Sequence, residues 1–329
     1  MFYNQLTSLS IVDLYNLELL NCSNNSLNSL NLNSANNLKV LDCSNNLIST
    51  LNLNSFNYLE TLNCDNNQLI TLTVTNLNLL NSLRCNFNSL TTLNSSNLIN
   101  LTNIHCSHND LNSLTINGNS SLQELYCDNN NLSILNAIDL ISLMYLDCTY
   151  NQLNSIVLTG TNYLQRLECR ENQLTTLNLN NTFQLEFLGC QYNNLLTSLY
   201  IKNGANESVN ANHSNNINYV CADIFQIGAI QSRLGINCVV SSNCNLANQD
   251  FEFSDYFKIY PNPAKNSINI ETKNDIVISS LSIYNTLGQL VQVITSPTKT
   301  IDISELKTGN YFIKIVSDKG TSNSKFLKE

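Results

Sequence analysis

Twelve cysteines and three histidines are the residues of this 329-residue chain whose types could carry nucleophilic, redox or metal chemistry. Nine of the cysteines recur at one interval: Cys22, Cys43, Cys64, Cys85, Cys106, Cys127, Cys148, Cys169 and Cys190 are each 21 residues apart. A regular row of thiols could hold metal, form disulfides or fill a core. It cannot wrap four thiolates tetrahedrally round one ion while it stays straight. On parallel strands about 4.8 Å apart, the inward Cβ atoms also exceed the roughly 3.8 Å that a disulfide prefers. Packed free thiols, which behave as small hydrophobes when buried, are the reading that remains. His105 and His108 flank Cys106 and read as polar residues on the solvated face of one strand, with no clear ligand set on the neighbouring strands. The chain contains no glycine-rich phosphate loop, GxSxG, HExxH or CxxC motif. No catalytic residue, cofactor or metal is expected.

The elements that position this row repeat with it. Each Cys has Leu or Ile five and two residues before it, Asn three after it, and an apolar residue five after it, with a second usually at eight. The second full unit shows these as Leu38, Leu41, Cys43, Asn46, Ile48 and Leu51, with Leu53 two further on. The unit LxxLxCxxNxLxxLxL resembles the leucine-rich repeat, with Cys in the third apolar slot. That resemblance implies a mainly β solenoid of 21-residue coils with a parallel sheet on its concave face. One coil buries too little to offset the entropy of ordering it, so coils must stack and be stabilised by their neighbours. Asn25, Asn46, Asn67, Asn88, Asn109, Asn130, Asn151, Asn172 and Asn193 sit where each strand turns away, and an amide there can donate to and accept from adjacent main chain. These nine are read as a structural ladder.

Charge narrows the partners. The net charge is −9; residues 1–244 hold 6 Lys and Arg against 15 Asp and Glu, whereas residues 245–329 hold 9 against 9. The acidic excess therefore lies in the repeats, which argues against nucleic acid. No apolar run reaches the length of a membrane-spanning helix.

Taken in order, the chain opens in mid-coil, with Met1 at a Cys position and no secretory leader, so a truncated amino terminus is expected. The solenoid spans residues 1–201 with small irregularities: Ser95 and Ala137 replace convex-side Leu, and an extra residue after Leu195 makes Leu199 and Ile201 lag. The register decays there. Residues 202–244 read as a carboxy-terminal cap, with a strand in 217–223 and helical spacing in 224–234. Cys221, Cys238 and Cys244 leave the 21-residue period; three cysteines allow three pairings, and the pairing expected is Cys238 with Cys244, leaving Cys221 in the ladder. Residues 245–256 form an acidic, aromatic linker.

After the linker, seven short alternating segments predict a small antiparallel β-sandwich over 257–329: FKIY, SINIET, ISSLSIYN, QLVQVI, TIDIS, YFIKIVSD and SKFLK. Tyr260-Pro261-Asn262-Pro263 opens it, Ile283-Tyr284-Asn285 leads to Gly288, Gly309-Asn310-Tyr311 follows, and Lys325-Phe326 lies near the end. These motifs in this order resemble the carboxy-terminal sorting domain of the type IX secretion system of Bacteroidetes. The resemblance implies export by that machinery, removal of the domain near the linker, and release or attachment at the cell surface.

Side chains alternating with the inward Leu and Cys must face solvent on the concave sheet. They are small and polar in the early coils and large in the later ones, where Tyr126, Tyr145, Tyr150, Arg166, Glu168, Arg170, Phe187 and Tyr192 stand. Exposed Tyr and Arg are enriched among interface hot spots. The expectation is a monomeric binding protein, without enzymatic activity, whose extracellular protein or glycan ligand lies across these coils. The alternative is a passive spacer belonging to a larger exported enzyme.

Overall fold

The computed structural model describes residues 3–234, 237–244, 257–272, 276, 278–286, 289–295, 297–317 and 320–329. They fall into two units, Met1–Ser242 and Asn243–Glu329.

The first unit is a solenoid whose concave wall is a ten-stranded parallel sheet: Leu19–Asn21, Val40–Asp42, Thr61–Asn63, Ser82–Arg84, Asn103–His105, Glu124–Tyr126, Tyr145–Asp147, Arg166–Glu168, Phe187–Gly189 and Ser208–Asn210. Leu20 pairs with Leu41, Leu146 with Leu167, and Leu188 with Val209, so the register advances by 21 residues at every step. Short parallel strands on the opposite side form separate patches, among them Thr92–Asn94 with Ser113–Thr115 and Ile134–Asn136 with Ser155–Val157. The middle residue of nearly every strand and the nine repeat cysteines point inward, the cysteines all with 0% exposure. Burial pushes the Cys22 thiol up to about 11 and Cys190 to about 12, and it holds the seven thiols between them well above their ordinary value. Since thiolate is the reactive form, native protein at pH 8 is expected to leave the ladder unmodified by a thiol reagent. In denaturant the ten free cysteines should all label, and rapid labelling of ladder positions before unfolding would contradict this packing.

The asparagine row satisfies the main chain of two coils at once. Asn46 donates from Nδ2 to the carbonyls of Cys22, Cys43 and Ser44 at 3.0–3.1 Å, and its Oδ1 accepts the Leu27 N–H at 3.0 Å. The same pattern recurs down to Asn193, which donates to Cys169 and Cys190 and accepts from Leu174. Just before each Asn the backbone adopts positive φ, at Asn24, Asn45, Asn66, Phe87, His108, Asn129, Tyr150, Glu171, Tyr192 and His213. Asn tolerates the left-handed region best among non-glycine residues, which accounts for five of the ten. His108 therefore lies in this turn, not on the strand with His105 as the sequence reading had it.

The concave sheet also continues beyond Leu195. Ser208–Asn210 adds its tenth strand, inside the segment read as cap, with Ala211 in the Cys slot and Ser214 in the Asn slot. The Ser214 Oγ donates to the Cys190 carbonyl and accepts the Asn193 N–H, doing the work of the missing amide. The extra residue is absorbed on the far side, where Thr176 pairs with Ser198, an offset of 22, while Phe187 still pairs with Ser208 at 21. Tyr219–Ala222 joins that far-side sheet between Ser198–Ile201 and Val239–Ser241. The helix Ile227–Leu234 packs Ile230 inward, and Arg233 donates to the Val209 carbonyl on the last concave strand.

The expected Cys238–Cys244 disulfide is not formed. Cys238 is a free thiol, 3% exposed and part of the solenoid core, whereas Cys221 and Cys244 are the disulfide-bonded cysteines. The side chain of Cys238 is already committed to the core before the strand Val239–Ser241 begins, so it is out of reach of a residue beyond that strand.

The second unit contains seven antiparallel strands in two sheets, in the order the sequence predicts. Phe257–Tyr260, Ser267–Thr272 and Thr300–Asp302 form one; Leu290–Thr295, Ile278–Asn285, Gly309–Ser317 and Gly320–Lys328 form the other. Phe257, Ile268, Leu281, Ile283, Ile313, Ile315 and Phe326 fill its core.

Candidate functional site

Every concave strand presents two side chains outward, three residues and one residue before the Cys slot, and parallel register stacks them into two columns. One column runs Asn103, Glu124, Tyr145, Arg166, Phe187; the other runs Arg84, His105, Tyr126, Asp147, Glu168, Gly189. Tyr126, Tyr145, Arg166, Glu168 and Phe187 thus stand together on one sheet, as neighbours along and across strands. Arg170 follows its strand in the next position. Tyr150 and Tyr192 do not lie on the sheet: both occupy the positive-φ turn at its edge, where Tyr192 stacks on His213 at 4.7 Å between ring centres.

The late-coil cluster is held by specific contacts. Arg166 Nη2 donates to Glu168 Oε1 at 2.7 Å, and its guanidinium lies 4.1 Å from the centre of the Phe187 ring, a cation–π geometry. Gly189 makes room for this. A Cβ there would come within 2.0 Å of Glu168 Oε2 and 3.1 Å of the Phe187 ring, so the absent side chain lets the carboxylate lean over the backbone towards Arg166.

Further up, Asp65 accepts from Arg84 Nε at 3.0 Å and from the Asn86 main chain and amide. His105 tilts against Tyr126 at 4.7 Å and lies 3.6 Å from Glu124, which also accepts from Asn103. Burial, then the nearby Arg84, lowers the His105 pKa. Burial, then Glu124 and Asp147, raises that of Tyr126. Glu124, Asp147 and Gly189 were not singled out from the sequence, although counting back one and three residues from every Cys would have found them. Among the described residues no group of three or more His, Cys, Asp or Glu is placed to hold a metal ion, and no helix is long and apolar enough to cross a membrane.

In the second unit the motif residues build the fold. The peptide bonds before Pro261 and Pro263 are both cis. Asn262 clamps the turn they make to the last strand, accepting the Leu327 N–H at 2.9 Å and donating to the Lys325 carbonyl. Tyr311 is buried, stacks on Phe326 and donates its hydroxyl to the Lys307 carbonyl. Gly309 takes φ 155°, Tyr260 is exposed beside Lys258, and Gly288 lies outside the described residues.

The solenoid resembles several solved structures. The functional domain of InlJ from Listeria monocytogenes, which includes a cysteine ladder, is 19% identical, with 100% of this chain and 89% of that chain covered at TM-score 0.47. YopM from Yersinia enterocolitica is 26% identical over 73% of this chain and 54% of its own, at 0.49. The leucine-rich repeat domain of APL1B is 20% identical over 76% and 81%, also at 0.49. No curated protein sequence matches the chain. Residues 258–329 match the family described as the secretion system C-terminal sorting domain. The chain is therefore a leucine-rich-repeat solenoid of 21-residue coils that carries a secretion-system sorting domain at its carboxy terminus.

Proposed function

We propose that this is an exported binding protein of the cell surface or medium, whose solenoid holds a protein or glycan ligand on the concave face of its later coils. The type IX machinery carries it out through the sorting domain, which is then removed within residues 245–256, a segment outside the described residues. The observation that supports this reading is the in-register row Tyr145, Arg166 and Phe187, with Arg166 stacked on one ring and paired to Glu168. Rigid aromatic and guanidinium surfaces give contact area at little entropic cost. Tyr126 and Arg170 extend the patch, and Tyr150 and Tyr192 flank it at the sheet edge.

The test screens the full-length chain against defined panels of glycans and extracellular proteins, beside a variant with Tyr145, Arg166 and Phe187 changed to Ala. At least a tenfold loss of affinity, about 1.4 kcal/mol, is expected with an unchanged melting temperature. Undiminished binding by a folded triple variant would remove the ligand from this face. Intact mass of the native protein from cells and medium tests the export half, which requires an external form cut within the linker.

A further inference from the structure

The sorting domain exposes apolar surface that its own core does not use. Along Ile278–Asn285 and Gly309–Ser317, Leu281, Ile283, Ile313 and Ile315 turn into the core at 0–1% exposure, while the residues between them leave by the opposite face. Antiparallel register then aligns Leu290, Tyr284, Phe312 and Lys325 in a single row across all four strands. Val293, opposite Ser282, and Leu327, opposite Asn310, flank that row on the same face. Leu290 is 54% exposed, Val293 53%, Phe312 50% and Leu327 38%. The solvent face of a small antiparallel sheet is ordinarily polar, and contiguous exposed apolar side chains with a polar rim mark an interaction surface. Lys314, opposite Ser282, and Lys325 place cations at this rim.

We propose that this outer face, centred on Tyr284 and Phe312, is the surface by which the secretion machinery reads the domain, and that the machinery offers it an apolar strip bordered by carboxylates. The inference rests on the export reading above. A sorting domain acts by being recognised, and recognition needs side chains a partner can touch. The motif residues Asn262, Gly309 and Tyr311 are spent on clamping turns and filling the core, so they support the face without meeting a partner. Lys325 belongs to the motif and also to the row. Its charge, with that of Lys314, favours acidic groups on the partner.

The experiment expresses the full-length chain in a bacterium that possesses this secretion system and measures the fraction outside the cell. Beside it run a chain ending at residue 256, the double variant Phe312→Ser with Leu290→Thr, and the single variant Lys325→Glu. The truncated chain should be retained in the periplasm. The double variant should show at least tenfold less export while the purified protein melts within a few degrees of wild type, and Lys325→Glu should reduce export at least threefold. Retention of the truncated chain with normal export of the folded double variant would overturn the face and leave the export reading intact. Normal export of the truncated chain would instead overturn the export reading, and the face with it. If the double variant does not fold, normal export of Lys325→Glu overturns the proposal. A wild-type dimer that the double variant dissociates without loss of export would assign the face to self-association and overturn it too.

Discussion

Taken from pH 8 to pH 11, the solenoid is expected to lose its cooperative fold, and the cysteine ladder is the reason. Burial raises the Cys22 thiol to about 11 and Cys190 to about 12 from an ordinary 9.0, and raises the seven between them. Below pH 9 the thiols are protonated in both folded and unfolded chains, and their contribution is fully present. Above it the unfolded chain releases protons that the folded chain still holds, so stability falls with rising pH until the folded thiols also titrate. Each thiol contributes a slope of about 1.4 kcal/mol per pH unit in that window. Nine acting together give on the order of 10 kcal/mol per unit, comparable with the whole stability of a domain. Far-UV circular dichroism against pH checks this, with a midpoint expected between 9 and 11. Changing Cys106, Cys127 and Cys148 to Val should flatten the dependence by about three protons. A transition whose proton count is unchanged in that variant would assign alkaline unfolding to other groups.

Replacing Asn130 with Ala should be the most damaging single substitution in the solenoid. Its amide donates to the carbonyls of Cys106, Cys127 and Asp128 at 3.0–3.1 Å and accepts the Leu111 N–H at 2.9 Å, all below the surface. Alanine removes all four bonds and leaves main-chain groups of two coils buried without partners, each at about 1–3 kcal/mol. A loss of about 3–5 kcal/mol follows, at the upper end for one substitution. Because stability is transmitted through neighbouring interfaces, the array should then unfold in two stages. Asn25→Ala, at the half-buried first rung, should cost about 1 kcal/mol or less. Asn130→Asp keeps the acceptor but loses the donors and should sit near the Ala variant. Urea unfolding followed by circular dichroism decides the matter: equal costs at rungs 25 and 130 would mean that the amides act locally and do not join coils.

Much of this was legible in the chain because the period is strict. A Cys and an Asn every 21 residues give the coil, its inward rows and the parallel register without further information, and alternation gives the seven strands of the sorting domain. The tenth coil escaped notice because Ala211 and Ser214 fill the Cys and Asn slots with residues that do the same work without the same letters. Tyr150 and Tyr192 were placed on the sheet because alternation cannot show where a strand stops. The chain leaves the strand at the Cys, and the positive-φ turn two residues later carries those tyrosines to the edge.

The sequence by itself determined what repeats: coil length, the buried thiol row, the amide ladder, the acidic solenoid and the detachable sorting domain, since each depends only on local pattern and on what adjacent coils must share. Tertiary structure alone decided what depends on the direction of a side chain. It turned Cys238 into the core and left Cys221 and Cys244 as the bonded cysteines. It used the emptiness at Gly189 to bring Glu168 to Arg166, and Arg166 onto Phe187. It also aligned Leu290, Tyr284, Phe312 and Lys325, scattered over some 40 residues, into one row, because antiparallel pairing and a bulge between Ile283 and Tyr284 set a register that no local pattern encodes.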